Sequence, residues 1–200
     1  MHPSRRRKKL KTYSLNPNDT SAEQRSVVEA WAVKSLAVAA KSTCALLHQP
    51  LRLNDLNIHL KWGNGRSARS EARWRPARIS LNLHAASVRD PISGIFREYK
   101  RFRRDSSISS FLSPDWKDHV TAVSCHEMAH HTVWRRLEQE GWCPGKGYTR
   151  EEAETLIDGI AVRLWLKPHT EPFRRAYAQI RTVTFIELFG TLPEPSFQDC

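Results

Sequence analysis

His126-Glu127-Met128-Ala129-His130 places two imidazoles four residues apart, with a carboxylate next to the first. On an α-helix that spacing puts both rings on one face, where they can bind a single metal ion. Glu127 is then placed to take a proton from a water that the metal activates, the chemistry of metal-assisted peptide hydrolysis. Two hydrogen-bonded histidines on a partly buried helix would present the same letters. The pattern therefore needs support from the elements around it.

The flanking residues supply a helix. Ser113-Pro114-Asp115 combines an N-cap, a proline suited to the first helical position and an acid suited to the positive end of the dipole. Trp116, Val120, Val123, Val133 and Leu137 make a core-facing stripe through the motif, and Gly141 ends it. The two histidines thus fall in mid-helix, close to its buried side. A catalytic zinc takes three protein ligands and leaves a fourth position open, so a further side chain is required. The metzincin pattern would need Gly at 133 and His at 136, where this chain has Val133 and Arg136, and it is excluded.

Thr149 and Glu152 form a capping box that predicts a second helix from Thr149 to about Lys167, stopped by Pro168. On such a helix Glu154 and Asp158, four apart, share a face. One carboxylate can ligate the metal while the other orients a ligand histidine through its free ring N–H. Glu151 and Glu152 compete with Glu154 for the ligand position.

The chain here resembles the gluzincin metallopeptidases, in which H-E-x-x-H on one helix is completed by the Glu of an E-x-x-x-D element on the next. The resemblance covers about residues 113–165. It implies one zinc per chain with His126, His130 and Glu154 as ligands, Glu127 as general base, and Asp158 as the supporting carboxylate on His126. Tyr148, His119, His131 and His169 are the candidates for a donor to the developing oxyanion.

Before the helix, residues 56–62 alternate in polarity, Gly63-Asn64-Gly65 marks a turn, and residues 77–84 alternate again with Ile79, Leu81 and Leu83 on one face. These predict a short sheet, with 77–84 as the edge strand along which a peptide substrate could add itself. A long apolar helix from about Thr20 to near Pro50 precedes the sheet, and a last helix runs from Thr170 to Gly190. The expected fold is α+β, a minimal zincin-like domain: N-terminal helix, small sheet, H-E-x-x-H helix, Glu-ligand helix, C-terminal helix. Its expected extent is residues 20–190, between an arm (1–19) and a tail (191–200), within single-domain size.

The net charge of +11 marks the surface as basic. Arg5, Arg6, Arg7, Lys8, Lys9 and Lys11 crowd one segment without a core pattern, which reads as a flexible basic arm, and the remainder is still near +5. Arg97, Lys100, Arg101, Arg103 and Arg104 alternate with Phe96, Tyr99 and Phe102 in the loop before the motif helix. Such interleaving suits phosphate contacts with base stacking, to DNA or RNA, and equally a solvated basic loop anchored by its aromatics. No apolar run follows the arm and no stretch of 18 apolar residues occurs, so neither a secretory signal nor a membrane span is expected. Cys44, Cys125, Cys143 and Cys200 include no C-x-x-C pair, which fits a reducing, cytoplasmic setting.

A basic minimal zincin is similar to the SprT-like (Spartan-type) proteases, which cut proteins attached to DNA. That family completes its zinc site with a downstream histidine, whereas here no histidine lies between His131 and His169. The expected function is a zinc peptidase acting on protein or peptide near nucleic acid, in the cytoplasm or associated with a nucleoid or virion. The alternative is a nucleic-acid-associated structural component, of a virion or other particle, that retains a zincin fold.

Overall fold

A computed structural model describes residues 22–62, 70–74, 76–83, 95–96, 111–112, 116–139, 154–157, 160–163, 169 and 171–192. The pairs at 95–96 with 111–112 and 154–157 with 160–163 are described by their backbone alone. Among these residues the fold is mixed α+β. Three helices, α1 (Ala22–Ser42), α2 (Trp116–Gln139) and α3 (Glu171–Phe189), pack on one another, beside a three-stranded sheet of β1 (Asn57–Lys61), β2 (Glu71–Arg73) and β3 (Arg78–Asn82). Two antiparallel pairs complete the set, β4 (Ile95–Phe96) with β5 (Phe111–Leu112), and β6 (Glu154–Ile157) with β7 (Ile160–Arg163).

Helix α2 is the centre of the molecule. It packs against α1 and α3, and another of its sides rests on β2 and β3. Small residues let α1 approach closely: Ala32, Ser35 and Ala39 are fully buried. At that seam Ser35 Oγ and Thr121 Oγ1 lie 3.0 Å apart, and the Trp31 Nε1–H donates to Thr121 Oγ1 at 3.1 Å. Val28, Leu36, Ile79, Leu81, Val120, Met128, Leu137 and Phe173 belong to one core around these contacts. Each side chain of this size removed from water stabilises the fold by about 1.5–3 kcal/mol before chain entropy is counted.

The first helix is shorter than its apolar pattern predicts, because its own hydroxyls turn the chain. Ser42 Oγ donates to the Ala39 carbonyl and Thr43 Oγ1 to that of Ala40, both at 2.7 Å. Thr43 Oγ1 also accepts the Leu51 N–H at 3.0 Å. A 3₁₀ turn at Thr43–Ala45 follows, so the helix ends eight residues before Pro50.

The sheet order is β1-β3-β2. This corrects the assignment of residues 77–84 to an edge: β3 lies in the middle, parallel to β1 and antiparallel to β2. Its burial agrees with a central position, since Ile79 and Leu81 are buried on one face and Ser80 and Asn82 on the other. The edge facing α2 is β2, three residues that carry no strong strand propensity and are fixed by pairing Ala72 opposite Ile79.

A second correction concerns the element that carries Glu154. The predicted helix at 149–167 is replaced by the β6–β7 pairing, in register Thr155 with Val162 and Ile157 with Ile160. Thr155, Ile157, Ile160 and Val162 are β-branched, and Asp158-Gly159 stands between the two runs. Asp-Gly flanked by such residues is a strong hairpin signal, and it outweighs the capping box.

Candidate metal centre

Helix α2 presents its motif in two directions. His126 and His130 look toward α3, while Glu127 and His131 look toward the sheet. His126 Nε2 and His130 Nε2 face each other at 3.2 Å. Nitrogens of a tetrahedral zinc site, with bonds of 2.0–2.1 Å, stand about 3.3 Å apart, so the pair has the spacing of two ligands on one ion.

The third side chain is His169, two residues before α3. Its ligating nitrogen joins those of His126 and His130 with all three within 4.8 Å of one another, close enough to hold a metal ion. The ring centroids lie 5.0–5.1 Å apart. Phe173, one turn into α3 and 1% exposed, touches all three rings at 5.0, 4.4 and 4.8 Å. Tyr177, a further turn along, stacks on Phe173 and meets the edge of His126. The buried aromatic stripe of α3 thus fixes the imidazoles from below. Trp134 stacks on His130 from the far side at 5.6 Å.

Burial keeps the His126 and His130 imidazoles neutral. The His126 ring is pushed down to about 3, by desolvation first and by His169 second. His130 is held well below its ordinary value by desolvation and then by His126, His169 and His131. Neutral rings keep the lone pairs that a metal requires. In metal-free protein this burial makes the fold acid-sensitive. The unfolded chain takes up protons at these histidines below about 6.5 and the folded chain does not, so their contribution is present above that pH and lost as pH falls. Glu127, whose pKa is raised, acts in the opposite sense, losing its contribution as pH rises toward about 8. The urea midpoint of metal-free protein should fall between pH 7 and 5, each of these two histidines adding up to about 1.4 kcal/mol per pH unit. A flat midpoint across that range would contradict the burial of these rings.

Glu127 is 5% exposed and faces β2, where the Ala72 backbone N–H donates to its carboxylate. Desolvation, and after it the neighbouring Glu71, push this carboxyl up to about 8, against the Ala72 hydrogen bond and Lys61. Glu71 is held on the strand by Arg78 at 3.1 Å and Arg73 at 3.3 Å. His131, by contrast, donates from Nε2 to the Arg78 carbonyl at 3.0 Å, a brace between α2 and β3. That bond removes it from the candidates for an oxyanion donor.

Of the other residues singled out by sequence, Glu154 falls on β6 and its side chain lies outside the described residues, as does Asp158. As Glu154 lies on a strand, the shared helix face that was the reason for pairing it with Asp158 is gone. Glu151, Glu152, Tyr148, the arm residues Arg5, Arg6, Arg7, Lys8, Lys9 and Lys11, and the loop residues Arg101, Arg103 and Arg104 also lie outside them. No described helix is long and apolar enough to cross a membrane. Sequence reasoning named His169 only as a candidate oxyanion donor and did not place it in this cluster. The signal was its spacing from Phe173 and Tyr177, which continues the α3 stripe back to the histidine. Comparisons with protein-family profiles, curated proteins and solved structures found no match to this chain.

Proposed function

We propose that the chain is a zinc-dependent peptidase with His126, His130 and His169 as ligands and Glu127 as general base. The convergence of three imidazoles, with a buried carboxylate next to His126 in the chain, carries this reading. Zinc bound there would supply Lewis-acid polarisation of the scissile carbonyl and a more acidic water.

The chain's own residues do the rest. The three imidazoles, packed on Phe173, hold the donor set rigid. Glu127 accepts the proton of the attacking water and returns it to the leaving amine. The edge strand β2, anchored to Glu127 through Ala72, offers backbone groups for an extended peptide. The zinc assignment replaces Glu154 by His169. It also brings the ligand set into line with the downstream histidine of SprT-like proteases.

The net charge of +11 favours action near nucleic acid, with Arg5–Lys11 and Arg101, Arg103 and Arg104 as phosphate contacts. The test is hydrolysis of an unfolded protein such as casein by zinc-loaded and chelated protein. Cleavage that disappears on chelation and returns with zinc is expected. Zinc-loaded protein that cleaves nothing would favour the structural-component alternative.

A further inference from the structure

We infer that Trp74 and Trp134 form an aromatic wall of the substrate cleft, selecting peptides with a large, flat apolar side chain beside the bond that is cut. This rests on the peptidase reading and names the substrate class of the same site.

The wall is reached from both elements that carry the chemistry. Trp134 lies one turn beyond His130 on α2 and stacks against that ring, 5.6 Å away with planes 24° apart. Trp74 follows the last residue of β2, the edge strand whose Ala72 meets Glu127. The two indoles lie 5.5 Å apart, tilted by 35°. Together they make a continuous aromatic surface from a metal ligand to the strand on which a peptide would align.

That surface is held in place. The Trp74 Nε1–H donates to Glu138 Oε1 at 2.9 Å, and Glu138 Oε2 accepts from Arg135 at 3.3 Å. Edge contact with His131, at 5.1 Å, fixes Trp134 from the sheet side. The core does not account for both rings. Trp74 packs on its margin, whereas Trp134 stands outside it, and both remain half-buried. A rigid pair of partly exposed indoles next to a reactive centre gives an aromatic side chain large contact area at small entropic cost. A small or charged side chain gains nothing from it.

The experiment titrates zinc-loaded protein with the hydroxamates of glycine, leucine and phenylalanine by calorimetry, for wild type, Trp74→Ala and Trp134→Leu. Zinc content is measured in each. Wild type should bind the phenylalanine compound about tenfold more tightly than the glycine compound. Either substitution should reduce that ratio to about twofold, with glycine hydroxamate affinity and zinc content retained in Trp74→Ala, which does not touch a ligand. Equal binding of all three compounds by wild type, or a preference unchanged in both variants, overturns the wall and leaves the metal site standing. Failure of every hydroxamate to bind zinc-loaded protein overturns the wall and the peptidase reading together.

Discussion

Glu127→Gln is expected to leave fold and zinc content intact and to lower peptide hydrolysis by at least about 10²–10⁴-fold. Glutamine keeps the shape of the side chain and can still accept the Ala72 N–H through its amide oxygen. What it loses is the ability to take up a proton. The carboxyl it replaces is buried and pushed up to about 8 by desolvation first, so the wild-type residue carries a cost of ionisation that glutamine does not. The variant should therefore melt at the wild-type temperature or above it. A fluorogenic peptide assay beside a thermal melt reads both effects. Retention of the wild-type rate would remove Glu127 from the mechanism, and a collapsed melt would assign it to the fold instead.

Removing the metal gives the second large effect. A ligand that binds only the folded state at about 1,000 times its Kd adds about 4 kcal/mol. In a chain of this length that corresponds to roughly 10 °C in Tm, the drop expected on chelation. The imidazoles and Phe173 join α2 to α3, so the loosening should be greatest where those helices meet. His130→Ala should abolish the chelator-dependent shift. His131→Asn should lower Tm with and without metal, because it breaks the brace to the Arg78 carbonyl, but keep the shift. Differential scanning fluorimetry with and without chelator separates the two histidines. A His131 variant that loses the shift, or a His130 variant that retains it, would reverse their assigned roles.

Much of this arrangement is legible in the sequence, for local reasons. The helix around H-E-x-x-H follows from a long amphipathic stripe, and α2 indeed spans Trp116–Gln139. The strands at 57–61 and 78–82 and the last helix follow from periodicity in the same way. What local pattern does not determine is pairing. β3 is central because β2 adds to it, and a strand of only Glu71–Arg73 leaves almost no periodic trace. The stretch around Glu154 carried two competing local signals. The Thr149–Glu152 capping box favoured helix, while β-branched residues around Asp158-Gly159 favoured a hairpin, and the hairpin won. The third histidine is the least local feature of all. His169 stands 39 residues beyond His130 and reaches it only because Phe173, Tyr177 and Ile180 bury the face of α3 that packs on α2.

The identity of the third ligand decides how the proposed metal site is built, and zinc affinity measures it directly. Competition titration with a chromophoric chelator on wild type, His169→Ala and Glu154→Ala gives the three dissociation constants. One zinc per chain is expected in wild type, with a loss of at least about a hundredfold in affinity for His169→Ala and wild-type affinity for Glu154→Ala. Wild-type affinity in His169→Ala together with a hundredfold loss in Glu154→Ala would contradict the assignment of His169 and restore the carboxylate as the ligand.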